Sequence, residues 1–183
     1  MSKVYVFLAD GFEEIEGLTV VDLLRRAKVD TVTVSIMKEK LIHGAHGINV
    51  YADAMFDELD CTDGDMLVLP GGMPGTTNLG AHAGLKELMH RYADENKRLS
   101  AICAAPSVLG QNGFLVGKKT TSYPGFEAEL KGAECVTDRV AVDGTIITSR
   151  GLGTAIDFAL AIITVLTDKK TADTIAASIQ YMA

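Results

Sequence analysis

The sequence predicts an α/β fold in which a doubly wound, mostly parallel sheet is sandwiched by helices. Two observations carry that expectation. Short, wholly apolar runs, which suit strands buried on both faces, alternate with longer segments whose apolar residues recur at helical spacing. Glycine-rich turns close some of these runs, and no repeat or Pro-, Gly- or Ser-rich linker divides the chain, so residues 1–183 are expected to form a single domain.

Val4–Leu8 is the first apolar run, and Ile15, Leu18, Val21, Leu23, Leu24 and Ala27 follow at near-helical intervals. Thr31–Ile36 alternates β-branched residues, and Ile48–Tyr51, entered through Gly47, is a weaker strand. Met66–Leu69 is apolar throughout and stops at Pro70-Gly71-Gly72. A helix is expected over about Gly84–Asn96, a strand over Leu99–Ile102, a helix of small residues over Ala105–Asn112 and a strand near Lys118–Thr121. Val140–Val142 and Thr145–Thr148 flank Asp143-Gly144, the strongest hairpin signal in the chain. Helices over about Thr154–Leu166 and Thr171–Tyr181 complete the pattern. Ligands in a sheet of this plan gather beyond the carboxyl ends of the strands.

At 183 residues, with 48% hydrophobic and 22% charged residues, the chain is long enough and apolar enough to bury a core without a metal or disulfide staple. Its net charge of −7 and isoelectric point near 5.0 repel phosphate backbones and anionic lipid, so neither nucleic acid nor membrane is expected as a partner. The N-terminal apolar run is too short for a signal peptide and no apolar stretch is long enough to span a bilayer, which makes the cytoplasm the expected compartment. Cys61, Cys103 and Cys135 are odd in number, far apart and without a CxxC pair, so the sequence indicates neither a disulfide framework nor a zinc knuckle.

The sharpest chemical signal is Ser100-Ala101-Ile102-Cys103-Ala104-Ala105-Pro106-Ser107. A cysteine at a strand end, followed at once by small residues, has the form of a nucleophile elbow, with the next helix offering its N–H groups and lowering the thiol pKa. A free cysteine is also a common space filler in protein cores, and the local pattern alone does not separate the two readings. In Asp10-Gly11-Phe12-Glu13-Glu14-Ile15-Glu16, the helix dipole accounts for Glu13 and Glu14. Glu16 falls on the rim that bears Cys103, where a glutamate near a thiolate has its pKa raised and can shuttle protons. Leu69-Pro70-Gly71-Gly72-Met73-Pro74-Gly75 lacks the endings of a phosphate loop, and Gly72 with Ala104 makes better sense as an oxyanion hole; a plain tight turn is the alternative. All four histidines precede Cys103, which excludes a downstream Cys-His triad. His43 and His46 form an HxxH pair without an evident third ligand, so no metal is expected, and His82 and His90 are expected to be solvated.

Taken in order, Gly11-Phe12-Glu13-Glu14-Ile15-Glu16, Leu69-Pro70-Gly71-Gly72, Ala101–Pro106, Thr120–Pro124 and Thr148–Thr154 resemble the ThiJ/PfpI superfamily, in the branch of the parkinsonism-associated protein deglycase and its bacterial relatives. The resemblance runs nearly end to end. It implies a flavodoxin-like sandwich of the class I glutamine amidotransferase type, a homodimer, no cofactor, a reactive Cys103, a protonated partner at Glu16 and backbone donors at Gly72 and Ala104. Activities attached to that branch include glyoxalase action on methylglyoxal, repair of glycated molecules and redox-regulated chaperone behaviour. The implied substrate is a small reactive carbonyl or a glycated molecule. Ala104 stands where the peptidase branch carries a histidine, which argues against proteolysis. His46 matches the position of an arginine that reaches the site from the partner subunit, and Tyr123 replaces a site histidine, so both are expected as substrate or partner-subunit contacts.

Overall fold

The computed structural model describes residues 2–181, so the ends of the expected domain, residues 1, 182 and 183, lie outside the described residues. β1 (Lys3–Leu8) leads into α1 (Glu14–Arg26) and β2 (Asp30–Ser35). A small hairpin of β3 (Leu41–His43) and β4 (Asn49–Tyr51) and the two-residue β5 (Ala54–Met55) precede β6 (Met66–Leu69). Then follow α2 (Gly75–Ala81), α3 (Ala83–Asp94), β7 (Arg98–Ile102) and α4 (Pro106–Gln111). β8 (Lys119–Thr120) and β9 (Glu134–Cys135) pair apart from the main sheet, and β10 (Val140–Asp143), β11 (Ile146–Ser149), α5 (Ala155–Leu166) and α6 (Lys169–Ser178) finish the order.

The main sheet has seven strands in the order β10-β11-β7-β6-β1-β2-β5. Its pairings are parallel except at the β10–β11 hairpin, where Gly144, at φ +62°, supplies the left-handed turn that Asp143-Gly144 predicts. Strand residues alternate between two cores, as the two-residue period of a strand requires. Val4, Val6, Leu8, Val68 and Ile102 pack under α1, α5 and α6, whereas Tyr5, Phe7, Leu67, Leu99 and Ala101 pack under α3 and α4. Both faces are therefore covered, which is why β6 reads as four consecutive apolar residues and is buried at every one.

Two departures from the sequence expectations bear on α2 and α3. Gly75–Ala81 is a helix, although Gly, Thr and Asn are poor helix formers; burial of Gly75, Thr76 and Leu79 against the sheet and α4 overrides propensity. His82 is half-buried rather than solvated: its Nδ1 accepts the Leu85 N–H at 3.0 Å and caps α3, and its ring stands edge-on to Phe56.

The central neighbours β1, β6 and β7 end together at Leu8, Leu69 and Ile102, so the segments that follow them share one rim. Phe158 of α5 is fully buried in the core beneath that rim. Phe158→Ala is expected to lower the free energy of unfolding by about 3–5 kcal/mol, measured by urea titration.

Candidate active site

Cys103 sits between β7 and α4 with φ +66°, the left-handed region that a β-carbon disfavours. Long-range bonds hold its backbone there. Its N–H donates to the Ser149 carbonyl at the end of β11 at 2.9 Å, and its carbonyl accepts the Tyr123 N–H at 2.8 Å. The small residues that follow let the chain turn at once into α4, with Pro106 at the first helical position, where its missing N–H costs nothing.

Glu16 reaches the same point from the first turn of α1 and is 1% exposed. The thiol donates to its carboxylate, which also accepts N–H groups from Gly71, at 2.9 Å, and Leu152. Gly71 is a spacer as well as a donor: a β-carbon there would lie 2.6 Å from both Cys103 Cβ and Glu16 Oε2. Gly72, at φ +91°, has no room either, since a β-carbon would meet the Glu13 nitrogen at 2.3 Å. The Gly72 and Ala104 N–H groups lie close enough to the Cys103 sulfur to favour its charged form.

The electrostatics differ from the expected depression of the thiol pKa. Burial, then the charge of Glu16 and the hydrogen bond to it, push Cys103 up to about 12, against the weaker pull of the Ala104 and Gly72 N–H groups. Burial also raises Glu16, to about 7, although the Cys103, Gly71 and Leu152 hydrogen bonds oppose the rise. The helix dipole loses here because α4 is only six residues long and a carboxylate lies against the sulfur. At neutral pH the pair is thus a thiol beside a carboxyl group poised to gain or lose a proton.

The DJ-1/PfpI family model matches residues 2–165 of the chain. The chain belongs to the DJ-1/PfpI family. Its structure superposes on the oxidised form of DJ-1 from Toxoplasma gondii with a TM-score of 0.96, at 35% identity and full coverage of both chains. It is 35% identical to DJ-1β of Drosophila melanogaster over 93% of this chain and 92% of that protein. It is also 34% identical to a protein of Pyrococcus abyssi named deglycase, over 81% and 89% respectively. The chain spans only 37% and 41% of the length of two Arabidopsis thaliana DJ-1 homologues.

Of the remaining expected residues of this DJ-1/PfpI chain, Tyr123 borders the pair, whereas His46 is bonded to Glu14. Tyr123 is 51% exposed, and its ring approaches the Gly151 backbone beside the sulfur. His46 does not join His43: the His43 ring turns to Asp10 at 3.2 Å, while His46 Nδ1 bonds Glu14 at 2.9 Å. Glu14 does more than answer the helix dipole. It is 1% exposed and accepts N–H groups from His46, at 2.7 Å, and Ile48, at 3.3 Å, pinning the loop between β3 and β4 onto α1. Burial alone would raise Glu14, but the His46 ring and these N–H groups outweigh it and bring the carboxyl down to about 2. The same contact raises the His46 pKa.

Glu13, Glu14 and His46 offer three ligand atoms within 4.8 Å of one another, the one group among the described residues that could hold a metal ion. His43 takes no part in this group, and the Nδ1 of its one histidine is already committed to Glu14. Sequence reasoning missed Gly71, Leu152 and Gly151. The Gly-Gly pair and the Arg150-Gly151-Leu152-Gly153-Thr154 run were visible, but the direction of a backbone N–H was not.

The two buried glutamates should show opposite pH signatures. Glu14 lies below the ordinary 4.5, so its stabilisation is complete above that pH and is lost as pH falls towards about 2. Glu16 lies above it, so its charge costs stability that grows as pH rises from 4.5 through about 7. Chemical denaturation should find Glu14→Gln destabilised by about 2 kcal/mol at pH 7. Glu16→Gln should be more stable than the parent at pH 8, with the difference gone near pH 4.

Proposed function

We propose that this chain is a cysteine-dependent enzyme of the glyoxalase or deglycase type, acting on reactive aldehydes such as methylglyoxal or on the adducts they form with amines. The observation that carries the reading is the Cys103 thiol in contact with a Glu16 carboxyl whose pKa is near 7, with two backbone N–H groups close to the sulfur. The pyrococcal relative named deglycase supports it.

In this mechanism the Glu16 carboxylate takes the thiol proton as sulfur adds to the aldehyde carbon. The oxygen that becomes negative turns towards the Gly72 and Ala104 N–H groups, and Glu16 returns the proton to it, leaving a hemithioacetal. Glu16 then removes the hydrogen on the sulfur-bearing carbon, forming an enediolate, and delivers a proton to the neighbouring carbon. A hydroxyl proton moves from one oxygen to the other, and the product is a lactoyl thioester. Water cleaves it to lactate and regenerates the thiol, so methylglyoxal plus water yields lactic acid.

Lactate release by the purified chain is expected to fall at least 100-fold, that is by about 3 kcal/mol or more, in Cys103→Ala and in Glu16→Gln. The parent kcat/KM should rise about tenfold per pH unit below 7 and level off above it, as Glu16 loses its proton. Lactate formation unaffected by both substitutions would overturn the enzyme reading.

A second reading draws on the oxidised Toxoplasma relative. Peroxide would convert Cys103 to a sulfinate that accepts a hydrogen bond from protonated Glu16, and the chain would act as a redox-sensing stress chaperone. No turnover alongside ready oxidation of Cys103 favours this alternative.

The expected homodimer belongs to the same proposal. Ile15 and Ile48, exposed at 46% and 52%, lie on α1 and on the loop that Glu14 holds beside the site. Sedimentation should give twice the 19.5 kDa chain mass.

A further inference from the structure

We propose that Glu13, Glu14 and His46 form a binding site for a divalent metal ion of the zinc type, which ties the loop between β3 and β4 to the first turn of α1. The site uses no atom of the Cys103–Glu16 pair, and it stands whether or not the chain is a glyoxalase.

Two carboxylates meet at this place without a fixed cation. The Glu14 side chain is 1% exposed and that of Glu13 14%, and among the described residues neither is paired with a lysine or an arginine. Their shared partner is the His46 imidazole, whose Nδ1 stands 2.9 Å from Glu14 Oε2 and 3.4 Å from Glu13 Oε2. A carboxylate withdrawn from water ordinarily gains a charged partner or a metal. Here one imidazole proton has to serve two of them. Even with that proton in place, negative charge is in excess, whereas a divalent ion bound to a neutral imidazole balances both carboxylates.

The spacing also suits metal ligands. Two atoms bound to one ion at about 2.0–2.1 Å lie roughly 3.0 Å apart at a right angle and roughly 3.4 Å apart at the tetrahedral angle. The two nitrogen–oxygen separations match these values, and one ligand atom from each residue lies within 4.8 Å of the others. The ligands are held in advance by bonds that a metal leaves intact. The Glu13 N–H donates to the Gly71 carbonyl at 2.9 Å, and the Ala45 N–H donates to the Phe12 carbonyl at 2.9 Å. Glu14 Oε1 accepts the His46 and Ile48 N–H groups, which leaves Oε2 turned to the imidazole. Gly44 is bare where a β-carbon would overlap the Glu14 carboxylate. The ion takes the place of the proton between His46 Nδ1 and Glu14, and that proton passes to solvent. The His46 side chain is 66% exposed, so water can complete the coordination from the open side. An imidazole with two carboxylates suits zinc, whereas magnesium and calcium favour oxygen ligands throughout.

The test uses the full chain carrying Cys103→Ala and Cys135→Ala, which removes the two thiols that are not buried and could themselves bind zinc. Calorimetric titration with zinc chloride is expected to find one ion per chain, undisturbed by excess magnesium chloride. Glu13→Gln and His46→Arg, each added to this background, should weaken zinc binding at least tenfold. Arginine removes the ligand but supplies a permanent charge to both carboxylates, so a loss in that variant reports on coordination and not on missing charge. Hydrogen exchange at the His46 and Ile48 amides should slow at least fivefold on adding zinc, and not in His46→Arg, which locates the ion at the loop. No zinc binding in the thiol-substituted background, displacement by magnesium, affinity unchanged in both variants, or loop exchange indifferent to zinc would each overturn the site.

Discussion

Contact between a buried carboxyl group and a thiol is the constraint around which this chain is arranged. Glu16 and Cys103 arrive from α1 and from the turn after β7, and they meet only because β1, β6 and β7 are neighbours whose ends share a rim. Gly71, after the middle strand of the three, must be bare for the two side chains to touch, and its N–H holds the carboxylate in place. The left-handed cysteine and the glycine at position 71 are thus two answers to one packing demand.

The same helix turn carries two glutamates with opposite fates. Glu14 and Glu16 are both 1% exposed, yet one is held near 2 and the other near 7. The difference lies in their partners. Glu14 is met by two N–H groups and a histidine ring, which outweigh its burial and keep it charged as a structural anchor. Glu16 faces a thiol and two N–H groups, too little to offset burial, and so remains responsive to pH.

Much of this was legible in the residues alone. Apolar runs and the Asp143-Gly144 turn located the sheet, because strand burial and hairpin geometry depend on local composition. Cys103 and Glu16 stood out because a strand end followed by small residues, and a third acid past a helix start, are local patterns too. Gly75–Ala81 was hidden because its helix is stabilised by tertiary burial against its own propensity. Glu14 was hidden because the loop that satisfies it lies about thirty residues downstream. The thiol pKa was misjudged because a dipole argument counts the helix ahead, and neither the burial of the sulfur nor the carboxylate packed from another segment.

One consequence follows from the backbone bonds at the elbow. The peptide groups flanking the sulfur are tied to Ser149 and Tyr123, partners brought in by later parts of the chain. The left-handed pose of Cys103 is therefore not a portable property of the short stretch around it. A peptide copied from that stretch, or a nascent chain not yet extended past β11, would carry the cysteine without the pose that gives it meaning. The bend at Cys103 gains both of its anchors only once the last strand of the sheet is in place, which makes this local geometry a late event in the making of the molecule.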